Sequence, residues 1–229
     1  MKLKGLLLLL ATIAFLSGES LAQQQFTNAD TLRGSITPQR AWWDVTFYDL
    51  HTTIHPSDSS ISGYNEITYR VTEPQRGRQM QIDLIKPLQI DSAVQRGDQL
   101  TLQRQTDTTY FLEIPSVQRP GELHTISVWY HGKPKVAENP PWDGGFIWKT
   151  DQQGNPWIAT ANQGIGASVW WPNKDQLSMS PTAWASILRY PHLLRISPTA
   201  GSEILQFTIT AQPPGTGSSA TRSTIIILP

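Results

Sequence analysis

Hydrophobic and polar residues alternate along the chain from Trp42 onward, which is the pattern of β-strands that bury one face. The alternation is clearest in residues 61–71. One face of that stretch carries Ile61, Gly63, Asn65, Ile67, Tyr69 and Val71, and the other carries Glu66, Thr68 and Arg70. An aromatic and threonine-rich strand is predicted at residues 42–54, and the polar residues 55–60 turn it back as a hairpin.

Further strands are predicted by short apolar or alternating runs separated by turn signals such as Arg96-Gly-Asp98 and Arg119-Pro-Gly121. These runs cover residues 80–84, 88–94, 99–104, 109–114 and 124–130. A spacing of about ten residues per strand, without helical heptads or internal repeats, is typical of an all-β domain. We therefore predict a twisted antiparallel saddle or sandwich whose C-terminal part, from residue 131 to 160, is rich in loops.

The two ends of the chain differ from this strand-rich middle. Residues 1–22 have the form of a secretory signal peptide, with Lys2 and Lys4 before an apolar run and Ser20-Leu-Ala22 as the cleavage site. Export to the periplasm or the extracellular space is therefore expected, with no membrane contact after cleavage. Residues 23–40 are polar and are expected to form a flexible leader, and residues 41–178 form the β domain.

Charge and composition narrow the possible chemistry. Eighteen basic residues balance eighteen acidic ones, so nothing favours a nucleic-acid partner. The chain has no cysteine, which excludes disulfides, thiolate zinc sites and cysteine nucleophiles. His51 and His55 are four apart, but they fall at a strand end and a turn, and no histidine has metal-ligand spacing. The chain itself is predicted to hold no catalytic residues, no metal and no cofactor.

The most distinctive stretch is residues 163–175, with Gly164 and Gly166 before Trp170-Trp-Pro172 and the charged pair Lys174 and Asp175. Two structures fit it equally well: a shaped loop pressed against a partner surface, or a buried loop that covers a sheet edge. An alternative function is a free-standing β-sandwich module that stacks a glycan or peptide on exposed tryptophans. Its surface would consist of Trp142, Trp148, Trp157, Trp170 and Trp171. A third is a folding or docking domain without a ligand.

Four separated motifs resemble the N-terminal domain of exported bacterial aminopeptidase N-type zinc metallopeptidases. They are Ala41-Trp-Trp-Asp-Val-Thr-Phe-Tyr-Asp-Leu50, Ile61-Ser-Gly-Tyr-Asn65, Pro141-Trp-Asp-Gly-Gly-Phe146 and residues 163–175. The resemblance covers residues 29–178 and implies a saddle-shaped, non-catalytic β domain. In the family this domain packs against a separate catalytic domain, whose zinc is held by an H-E-x-x-H motif that this chain does not contain. The resemblance therefore implies a missing catalytic domain as the partner.

The resemblance also implies one functional residue. Family members carry Gln or Glu nine residues before the proline of a P-x-x-D segment, where it binds the free α-amine of the peptide substrate. Here Pro172 and Asp175 form that segment, and Gln163 stands nine residues before it. A neutral amide accepts a hydrogen bond from an ammonium but supplies no charge. Many relatives have Arg where this chain has Ser168, and the alternative is that Gln163 only ties down its own loop.

Residues 179–229 depart from the resemblance. Where it predicts Asp-Glu-Pro-Asp-Ser-Met, the chain reads Met179-Ser-Pro-Thr-Ala-Trp184. Restoring one base and regrouping the codons gives the expected residues, and residues 196–203 and 217–228 regroup in the same way. We therefore predict a frame shift that leaves residues 179–229 as an out-of-frame, disordered tail. The run Pro213-Pro-Gly215 and the Ser/Thr-rich residues after it are typical of disorder.

Overall fold

The computed structural model describes side chains in residues 27–73, 79–140, 142–152, 154, 156–162 and 164–175. It also describes the backbone of four later strands. The predicted signal peptide, residues 1–22, lies outside the described residues. Two short helices, α1 (Asn28–Gly34) and α2 (Pro38–Ala41), precede the strands, and a 3₁₀ turn covers Ala167–Val169. None of the described helices is long and apolar enough to cross a membrane.

Fourteen described strands make up the rest of the fold. In chain order they are β1 (Trp43–His55), β2 (Ser60–Val71), β3 (Gln79–Asp83), β4 (Gln89–Gln95), β5 (Asp98–Gln99), β6 (Leu102–Arg104), β7 (Thr109–Glu113), β8 (Leu123–Gly132), β9 (Gly145–Thr150), β10 (Pro156–Ala161), β11 (Ala183–Tyr190), β12 (Leu193–Ile196), β13 (Leu205–Ala211) and β14 (Thr221–Ile227).

These strands form three sheets. The largest has the order β12-β11-β1-β2-β8-β4-β5, the second β13-β14-β10-β9 and the third β3-β7-β6. All pairings are antiparallel except β1 with β11 and β10 with β14, which are parallel. The all-β, antiparallel fold class predicted from the sequence is thus confirmed. The alternation in β1 and β2 buries one face of the large sheet and leaves the other polar.

One hydrophobic core joins the large sheet to the three-stranded sheet. The buried face of β2 contributes Ile61, Ile67 and Tyr69, and β3 contributes Met80 and Ile82. Burying an aliphatic side chain of this kind stabilises the folded state by about 1.5–3 kcal/mol. The core therefore fixes the position of β3, and the loop at residues 164–175 is bonded to that strand.

The structure differs from the flexible leader expected at residues 23–40. Thr27 and Asp30 form a capping box: Asp30 N donates to Thr27 Oγ1 at 3.2 Å, and Thr27 N donates to Asp30 Oδ2 at 2.8 Å. This cap starts α1, and Leu32 on the helix is buried. Arg40 in α2 is fully buried because its guanidinium binds the Asp83 carboxylate, which is distant in sequence. The local polarity of residues 23–40 does not indicate this burial.

The part expected to be rich in loops, residues 131–160, contains the β9–β10 hairpin. The two strands pair antiparallel from Gly145 with Ala161 to Thr150 with Pro156. Gly and Pro residues around them gave the stretch its loop-like composition. The strands themselves are too short for their alternation to stand out from that background.

Four strands, β11 to β14, lie within residues 179–229, where disorder was expected. Their backbones pair with the chain at two places: β11 adds to the edge of β1, and β14 adds to the edge of β10. A strand edge has unpaired N–H and C=O groups, so extended segments of many sequences can join it. The frame shift concerns the gene, and it stays a prediction.

A closed ring of hydrogen bonds crosses the core beside β2. The Tyr69 hydroxyl donates to Gln118 Oε1 at 2.7 Å and accepts from Gln95 Nε2 at 2.8 Å, and Gln118 Nε2 donates to Gln95 Oε1 at 3.0 Å. All three side chains are buried. Each polar group is therefore satisfied away from water, which such groups require in a protein interior.

Replacing Tyr69 with Phe removes the hydroxyl on which two of these bonds depend. We expect Tyr69→Phe to lower the free energy of unfolding by roughly 1–3 kcal/mol, because two buried amides lose a partner atom. Urea denaturation measures the change. Tyr64→Phe on the outer face of the same strand is the matched control and should change stability by less than about 0.5 kcal/mol. Equal losses in both variants would show that the ring does not stabilise the fold.

Candidate functional site

The loop Gly164–Asp175 leaves the end of β10 and runs to β3. Its first half contains the 3₁₀ turn Ala167–Val169. There, Ile85 N donates to the carbonyl of Ser168 at 2.8 Å. At the other end Asn173 forms an antiparallel bridge with Asp83, with N···O distances of 2.8 and 3.1 Å. The loop thus extends the three-stranded sheet by one bridge, which fixes its backbone.

The Asp83 carboxylate is the centre of the network that holds this loop. Oδ2 accepts from Arg40 Nη2 at 2.5 Å and from the backbone N–H of Asp175 at 3.1 Å. Oδ1 accepts from Gln81 Nε2 at 3.0 Å and from Thr109 Oγ1 at 3.4 Å. Burial raises the pKa of Asp83, and the Arg40 guanidinium opposes that rise.

Arg40 connects the same carboxylate to the N-terminal helices. Its Nη1 donates to the carbonyls of Arg33 and Ser35, both at 3.1 Å. Arg33 in turn donates from Nη2 to the carbonyl of Ile165 at 2.7 Å. The segment expected to be a leader is therefore bonded to both the loop and the strand that carries Asp83.

Gly166 and Asp175 close the loop on itself. The Asp175 carboxylate accepts a hydrogen bond from Ser168 Oγ and lies directly against Gly166. Gly166 has φ of 83°, and a Cβ atom there would lie 2.1 Å from Asp175 Oδ2. Only glycine satisfies both the backbone angle and the close approach. Ser168 is thus the side-chain partner of Asp175.

Lys174, the neighbour of Asp175 in the loop, is buried. Its Nζ donates to the carbonyl of Trp43 and lies 4.5 Å from the centre of the Trp43 ring. Its backbone N–H donates to the Tyr48 hydroxyl at 3.0 Å. Burial lowers the pKa of Lys174 to about 8, although the nearby Asp44 carboxylate opposes the shift.

The tryptophans of the loop belong to the core. Trp170 is 4% exposed, and Trp171 meets the Tyr48 ring edge to face at 4.8 Å. Trp148 stacks on Phe146 at 5.1 Å, whereas Trp142 is 76% exposed. Of the five tryptophans in the alternative stacking surface, Trp142 is exposed, Trp170 is buried, and Trp148, Trp157 and Trp171 are half-buried. Trp170 is therefore not part of an exposed stacking surface, and the loop agrees with the alternative of a buried loop.

Gln163, the predicted substrate-binding residue, lies outside the described residues. Its neighbours are fixed by a turn in which the Asn162 carbonyl accepts from Ile165 N at 3.2 Å and from Gly166 N at 2.9 Å. The role of Gln163 stays a prediction. Sequence reasoning missed Asp83 and Arg40. A charge inside the apolar run Met80-Gln-Ile-Asp-Leu84 was a signal for Asp83, but nothing in the local sequence marks Arg40.

Three of the four described histidines each lie beside one carboxylate, and His55 bonds the Ser62 hydroxyl. His51 Nε2 lies 3.1 Å from Asp49, and His131 Nδ1 lies 2.6 Å from Asp91. Within the described ranges, no group of three His, Asp or Glu side chains could hold a metal ion. The described histidines and carboxylates therefore do not fit a zinc site.

Solved structures similar to this chain include an M1 zinc metallopeptidase and a leukotriene A4 hydrolase. The M1 zinc metallopeptidase from Deinococcus radiodurans matches with a TM-score of 0.54 at 19% identity, covering 82% of this chain and 39% of that protein. A mutant of it bound to a Tyr-Ser-Ala substrate matches equally. Yeast leukotriene A4 hydrolase matches with a TM-score of 0.52 at 13% identity, covering 80% and 26%. The chain has the fold of part of an M1 zinc metallopeptidase.

The match rests on structure and covers only part of the neighbours. Neither a scan against protein-family models nor a search of curated proteins gives a match. The chain spans about two fifths of the length of the Deinococcus enzyme and about a quarter of the yeast enzyme. The similarity therefore concerns one segment of a larger enzyme.

The glycines of the loop provide a test of its closure. We expect Gly166→Ala to lower the free energy of unfolding by about 2–4 kcal/mol, since it adds a clash with Asp175 to an unfavourable backbone angle. Gly164→Ala is the matched control, because Gly164 also has positive φ, at 74°, but has open space around it. It should lose only about 1–2 kcal/mol. Equal losses by thermal denaturation would contradict the Gly166–Asp175 contact.

Lys174 predicts a pH dependence of stability. The folded chain releases the Lys174 proton near pH 8, whereas the unfolded chain releases it near the ordinary value of 10.5. The unfolded state then binds more protons between these values, so the free energy of unfolding rises with pH, by roughly 1–2 kcal/mol from about pH 8 to 10.

Urea denaturation at several pH values tests this, using variants that remove a lysine. The rise should vanish in Lys174→Met and persist in Lys149→Met, which removes an exposed lysine. Above pH 10 the raised pKa values of the buried Tyr48 and Tyr130 hydroxyls act in the opposite direction, so the measurement stops there. A rise that persists unchanged in Lys174→Met would contradict the assignment.

Proposed function

We propose that this chain is the non-catalytic N-terminal β domain of an exported zinc aminopeptidase. The observation that carries the proposal is the fold match to M1 zinc metallopeptidases over 82% of this chain but only 39% of theirs. The partner would be a catalytic domain outside these 229 residues. The intact enzyme would bind the free N-terminus of a peptide and hydrolyse its first bond with zinc-activated water.

The loop Gly164–Asp175 is the segment best suited to border the substrate cleft. It is fixed on its inner side by Asp83, Lys174 and the Trp170 core contact, so a side chain at its start would be held in position. Gln163 stands at that start and would accept a hydrogen bond from the substrate ammonium. A rigid loop supports such a role because misplacement by about 1 Å weakens substrate handling strongly.

Two exposed apolar side chains belong to segments that contact the same loop. Ile36 is 61% exposed and Trp142 is 76% exposed. Arg33, near Ile36 in the chain, donates to the Ile165 carbonyl, and a Cβ on Gly144, near Trp142 in the chain, would meet the Ile165 side chain. Exposed apolar side chains can mark an interaction surface. We assign the segments around Ile165 to contact with the missing catalytic domain.

Export and the frame shift belong to the same proposal. The signal-like residues 1–22 support export, and the codon regrouping of residues 179–229 supports a frame shift after Ser178. Resequencing the gene tests the shift directly. A continuous frame that encodes residues 179–229 as printed, matched by intact relatives, would overturn it without affecting the β domain.

Restoring the frame gives the functional test of Gln163. Residues up to Ser178 joined to the frame-corrected continuation should hydrolyse N-terminal residues from peptides in a zinc-dependent reaction. In that protein Gln163→Ala should lower kcat/KM. The loss should correspond to roughly 1–3 kcal/mol of transition-state stabilisation, the usual effect of losing a hydrogen bond to a charged group.

The matched control is Gln152→Ala, which removes an exposed amide from the β9–β10 turn and should leave kcat/KM unchanged. An unchanged kcat/KM in Gln163→Ala would mean that Gln163 only ties down its loop. A stacking module would behave differently. The isolated β domain would then bind oligosaccharides by itself, and Trp142→Ala would abolish that binding.

A further inference from the structure

The outer face of the large sheet carries an aromatic row. The strand register places His51 of β1 opposite Tyr64 of β2, and Tyr64 opposite Trp129 of β8. The His51 and Tyr64 rings stack at 4.4 Å and 11°, and the Tyr64 and Trp129 rings lie 5.8 Å apart at 33°. Trp129 is 37% exposed, so more than a third of its surface is open to solvent.

The aromatic row ends in an open position. On β4 the residue paired with Trp129 is Ser92, whose side chain is too small to cover an indole ring. The register shift between Ile90 and Ser92 leaves Asp91 as an extra residue beside it, and Asp91 pairs with His131. One end of the row is therefore accessible and has a carboxylate next to it.

A carboxylate row runs beside the aromatic row. Asp49 of β1 is directly opposite Glu66 of β2, and Glu66 is opposite Ser127 of β8. His51 Nε2 lies 3.1 Å from Asp49, and Ser127 Oγ donates to Glu66 at 3.3 Å. Like charges directly opposite on neighbouring strands are destabilising. Nothing in the core packing requires this pair, because both side chains are on the outer face.

The described rows of β1, β2 and β8 around these carboxylates contain no permanent cation. The next row on the other side consists of Phe47, Thr68 and Thr125. None of the nine side chains in these three described rows is a lysine or an arginine. The pair Asp49 and Glu66 is therefore flanked by rings on one side and by Phe47 and threonines on the other. Among these nine side chains, His51 beside Asp49 is the one group that can carry a positive charge, and Glu66 has no basic partner among them.

We propose that the aromatic row and the carboxylate row together bind a basic side chain, preferably arginine, of a peptide or protein segment. A guanidinium stacks on aromatic faces and binds a carboxylate with two parallel hydrogen bonds. An arginine over Trp129 and Tyr64 would reach Glu66 and relieve its repulsion with Asp49. A neutral sugar would use the indole but would gain nothing from the opposed carboxylates. This inference is independent of the proposed peptidase function.

The test is a titration of the full chain with acetyl-Gly-Arg-Gly-amide at low salt, measured by calorimetry. The probe for comparison is the same peptide with citrulline, which keeps the shape of arginine without its charge. We expect saturable binding of the arginine peptide, at least about tenfold tighter than the citrulline peptide, that weakens as salt is added. Trp129→Ala and Glu66→Gln should each weaken it by about tenfold or more.

Matched controls remove the same groups elsewhere. Trp142→Ala and Glu138→Gln change an exposed tryptophan and an exposed glutamate of another loop and should leave the affinity unchanged. Glu66→Gln keeps the size of the side chain, so it tests the site even where Trp129→Ala disturbs the sheet. Equal affinity for both peptides, no saturable binding, or an equal loss in the controls would overturn the proposal. Trp129-dependent binding of an oligosaccharide without binding of the arginine peptide would also overturn it.

Discussion

The buried carboxylate of Asp83 is the constraint on which the arrangement of this domain depends. It holds Arg40 of the N-terminal helices, Gln81 of its own strand and the backbone of Asp175 at once. Removing one partner of a buried ion pair leaves an uncompensated charge and typically costs about 3–5 kcal/mol. Because three separate segments meet at this one group, the helices, β3 and the loop form one cooperative unit.

The sequence predicts the parts of the fold in which local pattern and tertiary position agree. Strands β1, β2 and β8 bury a single face of the large sheet, so their period-two alternation is unambiguous, and each was predicted within one or two residues. The β9–β10 hairpin and α1 were missed because they are short and surrounded by turn-forming or polar residues. Arg40 was assigned to a flexible leader because its burial follows from Asp83, which is 43 positions away.

The same limit applies to the candidate site. The glycines and the Trp-Trp-Pro block identified residues 163–175 as a shaped loop, and the structure confirms that Gly164–Asp175 is anchored at both ends. Of the two alternatives for this loop, the structure agrees with the buried one: Trp170 is buried against Phe146, and the partly buried Trp171 packs on Tyr48. Composition alone cannot distinguish these cases, since a loop that covers a core and a loop that contacts a partner use the same apolar residues.

Polar groups are arranged differently on the two faces of the large sheet. On the buried face, Tyr69, Gln95 and Gln118 bond one another in a ring. On the outer face, Asp49 and Glu66 are directly opposite each other beside a row of stacked rings. Burial forces a satisfied network, because an unpaired group there lowers stability. Water solvates polar groups on the outer face, so two carboxylates can stand opposite each other there and remain accessible to a ligand of opposite charge.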